Sequence, residues 1–231
     1  MTYPRSPKLQ KGALVKLNED FLGPIPNIIV FQYNPEKMTR NLTPSSASEE
    51  KGGRWGQPTT AEPFDPKESF DLAMELDAAD ELEFPDENPV TVISGVSARI
   101  SAMEMLLYPS QDNMLGSLPI PNPFAGISAV PRGTVPIVLF VWGMGRILPV
   151  RLTSFRVDEQ AYSPTLYPIR AKVTVGLQVL TEQAFESLGR SLTLGEQIAL
   201  KAYQYTRGQR ELLAKANLAT NLDSILSILP F

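Results

Sequence analysis

The chain has 231 residues, 43% hydrophobic and 20% charged, with a formal charge of −4 and neither histidine nor cysteine. Those two absences exclude the commonest neutral-pH general base, every thiol nucleophile, every disulfide and zinc sites of the usual nitrogen–sulfur kind. The slight negative charge gives no support for binding nucleic acid or an anionic membrane. A chain of this length and ordinary composition can fill one good core. The first residues hold no apolar stretch of signal-peptide length, and the longest apolar run, Ile137 to Trp142, is too short to span a bilayer. A soluble chain, made for the cytoplasm and not inserted in a membrane, is expected. Proline is frequent, at 21 residues, many of them in the stretches Pro58 to Pro89 and Pro109 to Pro136, which read as long loops.

In chain order, Gly12 to Leu17 reads as a short strand, and Asn27 to Tyr33 as a strand ending at the turn signal Asn34-Pro35. From Phe70 the alternation is clean: Phe70, Leu72, Met74 and Leu76 face one way, and Asp71, Ala73, Glu75 and Asp77 the other. Val92 to Leu107 changes period. Val92, Val96, Ile100, Met103 and Leu107 fall on one helical stripe, and Pro109 ends it.

Ile137 to Trp142 reads as a buried strand. In Arg146 to Val157, Leu148, Val150 and Leu152 share one face, with Arg151, Thr153 and Phe155 opposite. Tyr167 to Leu180 alternates over fourteen residues, a reach of roughly 45 Å against the usual five or six residues of a strand. Leu192 to Ala219 is rich in helix formers, with Leu194, Ile198, Tyr205, Leu212 and Ala216 near one stripe. Asn221 to Leu229 adds a short amphipathic coda. The expected fold is mainly β with a flanking helix, an α+β chain: a β domain over residues 1–190, then a C-terminal helical tail over 191–231. Long strands with unprotected edges invite pairing with another chain; a ring of identical subunits satisfies them, and so would a monomeric barrel.

No constellation carries catalytic chemistry. The acidic stretch Asp77 to Glu87 lacks the spacing and glycine of a calcium loop and reads as a solvated negative loop. Trp142-Gly-Met-Gly-Arg146 contains Gly-x-Gly after a strand, but a third glycine and a following helix are missing, so a tight hairpin is expected. Gly52-Gly-Arg-Trp-Gly56 reads as a loop tip, and Ser163-Pro164 with Tyr167-Pro168 as a turn between strands. No phosphate-binding loop or Gly-x-Ser-x-Gly elbow occurs. The chain is expected not to be an enzyme and to use no cofactor.

Three stretches carry a resemblance. They are Gly12-Ala-Leu-Val-Lys-Leu running on to Ile29-Val-Phe-Gln-Tyr-Asn-Pro-Glu-Lys-Met38, Ser69-Phe-Asp-Leu-Ala-Met-Glu-Leu-Asp77, and Val150-Arg-Leu-Thr-Ser-Phe through Tyr162-Ser-Pro-Thr-Leu-Tyr-Pro-Ile-Arg-Ala-Lys-Val-Thr-Val175. Together, patchily over about residues 10–182, they resemble the tube-type domain of the contractile-injection-system and phage baseplate protein that often carries a LysM module. The resemblance implies a tail-tube-like β-barrel or sandwich, assembled as a hexameric ring where the inner tube meets the spike hub and baseplate. The implied partners are copies of the chain itself, the spike or hub protein, the tube protein and baseplate subunits. No LysM-like segment follows the tube-like part, so peptidoglycan binding is not implied.

The tail has two readings, an arm for a baseplate neighbour or a helix packed on its own barrel. For an arm, Tyr205, Leu212 and Leu226 are the candidate docking anchors. Deleting residues 192–231 is then expected to leave a folded β domain. Three rivals compete with the ring adaptor. A main inner-tube subunit would repeat along the shaft. A carbohydrate- or peptidoglycan-binding module predicts clustered exposed aromatics, but the only tryptophans are Trp55 and Trp142. A hydrolase built from carboxylates alone is disfavoured by the missing histidine.

Overall fold

A computed structural model of the chain describes residues 10–17, 28–44, 64–108 and 135–220. The Gly52–Gly56 loop tip, the coda after residue 220 and nearly all of the second proline-containing stretch lie outside these residues. Within them the chain is an α+β protein whose seven strands form one antiparallel sheet. The strands are β1 (Ala13–Leu17), β2 (Ile28–Val30), β3 (Met38–Thr43), β4 (Lys67–Asp77), β5 (Ile137–Val141), β6 (Ile147–Tyr162) and β7 (Pro168–Val179). Their spatial order is β2-β1-β5-β6-β7-β4-β3.

That order forces the sheet to curl. β2 and β3 are its two outermost strands, yet only Phe31 to Lys37 separate them in sequence. In a flat sheet the margins would lie about 29 Å apart. Eight fully extended peptide steps reach only about 28 Å, and this connection bends on the way. The rings of Phe70 on β4 and Phe140 on β5, three strands apart, meet at a centroid distance of 5.5 Å across the concave face. Phe140 in turn stacks on Trp142 at 6.0 Å, and Phe31 reaches Trp142 at 6.4 Å.

The concave face holds the core. Phe70, Leu72, Met74 and Leu76 are buried as their alternation predicts, facing Ala171, Val173, Val175 and Leu177 on β7. Burying each such side chain contributes about 1.5–3 kcal/mol. On β6 the alternation breaks. Leu148, Val150 and Leu152 point inward, then a bulge between Leu152 and Ser154 adds one residue. The bulge inverts the parity of everything beyond it, because strand side chains alternate with period two. Phe155, expected opposite Leu152, therefore joins the core margin with Val157. Gly176 faces the bulge, where a Cβ would overlap the hydroxyl of Ser154.

Helices close one end of the sheet. α1 (Ala79–Leu82) follows β4 directly, then come α2 (Pro89–Ser94) and α3 (Ser97–Glu104). The described part of the first proline-containing stretch, residues 64–89, is thus not one long loop: Pro66 precedes β4, and Pro89 opens α2, where a missing N–H costs nothing. The single helix expected from Val92 to Leu107 is two, broken at Gly95, which has φ +55°. A Cβ there would overlap the carbonyl oxygen of Pro168, and the next N–H, Val96, donates to that same oxygen at 2.9 Å. Val96, Ile100 and Met103 complete the core from this side. α4 (Glu182–Glu186) and α5 (Leu194–Thr220) end the described chain.

Three further elements depart from the expectations. β2 is shorter than the strand read over Asn27 to Tyr33, although Phe31 just after it is buried like Ile29 and still donates its N–H to the Gly12 carbonyl at 2.9 Å. β3 was not foreseen; its burial pattern is nearly all exposed and lacks alternation. The acidic stretch from Asp77 is a solvated loop only in its second part: Ala79–Leu82 folds into α1, with Asp77 paired to Arg170 and Glu81 to Arg99, while Glu83 to Glu87 is an exposed turn. The hairpin at Trp142 to Arg146 forms as its glycines predict, with the Trp142 N–H donating to the Arg146 carbonyl at 2.8 Å.

Leu72 is 1% exposed on the concave face. Leu72→Asp buries a charge with no partner at a cost of several kcal/mol, and is expected to leave the protein without a cooperative thermal transition. A variant that melts near the parent temperature would place the core on the other face.

Candidate functional site

Two margins of a curled sheet that never pair through their backbones must be held by something else. At the α1 end the side chain of Gln32, just after β2, takes the place of a strand. Its Nε2 donates to the Asp77 carbonyl at 2.6 Å, and its Oε1 accepts from the Asp77 N–H at 3.0 Å and from Arg99 at 3.2 Å. Arg99 also pairs with Glu81, whose other oxygen accepts from Thr91 at 2.6 Å. The Thr91 bond, ahead of the Arg99 pair, holds the Glu81 carboxyl below the usual range. The Ala79 N–H does the same for Asp77, helped by Arg170.

At the other end the inner face of β4 begins with a carboxylate. Glu68 precedes Phe70, Leu72, Met74 and Leu76 on the same face and is 3% exposed. Arg40 on β3 donates to it at 2.5 Å, and Arg210 on α5 embraces it through both nitrogens at 2.8 and 2.9 Å. Arg146, at the end of the β5–β6 hairpin, lies over the Phe70 ring at 5.6 Å. Burial and the nearby Arg40 and Arg210 lower the Arg146 pKa, while Glu68 holds it up. Three guanidinium groups thus converge from β3, the hairpin and α5 around a single buried acid.

α5 makes this end. Its inward stripe is Ala199, Tyr203 and Thr206, all buried, with Arg210 next on the same side. The Thr206 hydroxyl donates to the Ile147 carbonyl at 2.7 Å and accepts from the Ile147 N–H at 3.0 Å, so it acts as a strand partner for the start of β6. The Tyr203 hydroxyl donates to Asp65 at 2.9 Å, and burial, with that carboxylate, pushes its pKa well up. This is a different stripe from the one read in the sequence. Ala199, Thr206 and Arg210 are small or polar and carry no hydropathic signal, so only their spacing could have marked them.

The expected docking anchors fall on the outer side of that helix. Tyr205 is 46% exposed, its hydroxyl donating to the Met144 carbonyl at 3.0 Å, and Leu212 is 59% exposed. They lie seven residues apart, on one stripe. Leu226 lies outside the described residues. From Glu211 to Leu218 every side chain is exposed. α5 therefore divides: its first half packs on the sheet, and its second half presents Leu212, Leu213 and Leu218 to solvent.

The opposite end of the sheet is apolar too. β4 and β6 run in the same direction, since both are antiparallel to β7, so their far ends lie together. There α2 exposes Val90 and Ile93, and the β6–β7 turn exposes Leu166, which is 80% accessible. Leu166 holds φ +65° and Ala161 φ +51°, a conformation that L side chains adopt at a cost. Among the described residues no three Asp or Glu side chains gather as metal ligands would, and no helix is long and apolar enough to cross a membrane.

Glu68→Gln leaves Arg40, Arg146 and Arg210 crowded without their counter-charge. The expected loss is about 3–5 kcal/mol, read as a lower urea midpoint at unchanged slope. Deleting residues 192–231 removes Tyr203, Thr206 and Arg210 and is expected to unfold the sheet, contrary to the expectation from sequence. Ending the chain after Arg210 should instead leave its melting temperature within a few degrees of the parent. Equal stability of the two truncations would show that α5 does not hold the sheet.

The chain matches no family model and no curated protein. Its functional reading therefore rests on this geometry and on the likeness of its three sequence stretches.

Proposed function

We propose that the chain is a non-enzymatic assembly subunit of a contractile, phage-tail-like particle, forming a ring that connects the inner tube to the spike hub and baseplate. The observation that carries this reading is the edge of β6. β5 pairs with β6 only from Ile147 to Val150, so the twelve residues Arg151 to Tyr162 have β7 on one side and no described strand on the other. A row of open N–H and C=O groups beside a complete core is a template for another strand. In a closed ring each copy supplies that strand to its neighbour, which leaves no edge free.

The stretches that resemble the tube-type baseplate domain map onto β1–β2, β4 and the β6–β7 hairpin, the parts of the sheet that contain this edge. Six copies is the number implied by that family. The exposed second half of α5 favours a subunit with a unique position over one repeated along a shaft, because it offers a contact that a plain tube subunit does not need. In this reading the work of the protein is geometric: edges join copies laterally, and ends meet the neighbours above and below.

The test is in the organism that makes the particle. Without this chain, electron microscopy should show baseplates that carry no tube. Lysine cross-linking of complete particles should give a ladder of this chain with itself. Particles of normal form in its absence, or a single copy per particle, would overturn the reading.

A further inference from the structure

Glu68 does not use up the guanidinium groups that surround it. Arg40 donates to it through Nε alone, at 2.5 Å, and the two terminal nitrogens of Arg40 meet no other described group. Arg210 is better occupied, with both terminal nitrogens on the carboxylate at 2.8 and 2.9 Å. Arg146 makes no hydrogen bond or ion pair with any described residue; its guanidinium lies over the face of the Phe70 ring, 5.6 Å from the centroid. The Arg146 nitrogens are not enclosed, since no buried side-chain nitrogen among the described residues lacks a partner. The other carboxylate at this end, Asp65, is engaged by Tyr203 and Arg207. Among the described residues, three guanidinium groups therefore share one acid.

The register of the sheet brings the open donors together. Arg40 pairs directly opposite Phe70, so both side chains leave the sheet on one face, and Arg146 covers that ring from the β5–β6 hairpin. Glu68 lies two residues before Phe70 on the same face. The side chains of Arg40 and Arg210 are each 33% exposed, against 3% for the acid. A solute arriving from water meets guanidinium donors, with the carboxylate behind them. A planar fork of N–H donors matches two oxygens of one anion, and partly buried charges are screened less than those on an open surface.

We infer that this end of the sheet binds a single oxyanion, a phosphate or a carboxylate, between Arg146 and the open end of Arg40. Glu68 and Arg210 hold the frame: the acid fixes the Nε side of Arg40 and leaves its terminal nitrogens pointing away. The bound anion offsets the repulsion among three like charges that one carboxylate only partly compensates. Two sources supply this chemistry, free phosphate in the medium or an acidic side chain on a neighbouring protein. The inference goes beyond the ring reading and needs nothing from it, because neither the β6 edge nor the number of copies enters.

The full-length chain is melted near neutral pH in chloride, in inorganic phosphate and in N-acetylglutamate amide, all at equal ionic strength. A site of about millimolar affinity in about 50 mM anion is expected to raise the melting temperature by about 5 °C over chloride. Arg146→Met keeps an apolar cover on Phe70, removes the donors and should abolish the rise. Arg146→Lys keeps the charge but loses the fork and should lose most of it, which preserves the comparison if the methionine variant does not melt cooperatively. Arg151→Met removes the same charge from an exposed position on β6 and should keep the rise, a control for the general stabilisation that phosphate gives. A larger rise in phosphate assigns the site to the free ion, and a larger rise in the glutamate derivative to a neighbour's carboxylate. No rise over chloride with either anion, or a rise that survives in the folded Arg146 variants, overturns the inference. Melting of the separate chain does not report on copies per particle, so this test and the ring test fail independently.

Discussion

The connection from β2 to β3 sets the form of the whole sheet. It joins the two outermost strands through seven residues, a distance that a flat sheet of seven strands would not allow. The curl that follows brings β4 and β5 face to face, and so makes one concave core from a single layer. It also leaves two margins that approach without matching backbones. Gln32 answers at one end, by giving Asp77 a donor and an acceptor where a strand would have given both. A primary amide can do this because it carries the same pair of groups as a peptide bond.

At the other margin the answer is ionic. A carboxylate at the first inward position of β4 would be costly on its own, and Glu68 is nearly inaccessible. Its cost is offset by Arg40 and Arg210, both within direct bonding distance. A hydrophobic replacement of all the partners could be as stable, since buried pairs seldom exceed packed apolar groups. What the charges add is a fixed address: a guanidinium on α5 and one on β3 must both meet the same acid. That requirement ties the helix to the open side of the sheet in one register. The Thr206 bonds to Ile147 repeat the same logic four residues earlier on the helix.

Much of the sheet was legible because its core face alternates without interruption, as on β4 and β7. Period two survives wherever one face meets the core and the other does not. It failed where the backbone broke the period. The bulge after Leu152 moved Phe155 across the sheet, and no side chain near it announces an extra residue. Gly95 split a helical stripe that was continuous in sequence, through a positive φ set by the close approach of Pro168. β3 left no alternation at all, because it has no buried face of its own. At the candidate site Tyr205 and Leu212 were visible as large residues on a helix, whereas Arg210 and Thr206 were not. Their roles depend on Glu68 and Ile147, each far away in the chain, and distance of that kind leaves no local trace.

An open edge is a hazard unless something limits what can pair with it. Beyond the bulge, the part of β6 that no described strand covers carries Arg156, Asp158 and Glu159, with Arg156 and Asp158 paired along the strand at 2.9 Å. Mixed charges of this kind do not block a strand outright; they penalise any partner whose own charges fall in the wrong register. A flat apolar edge would accept almost any strand, and a run of one sign would accept none of its own kind. Mixed signs leave pairing open to a neighbour with the matching order. Along this edge the chain combines an unsatisfied surface with a charge pattern that discriminates between partners. Such a combination suits a component that must remain separate until its neighbour arrives in the correct orientation.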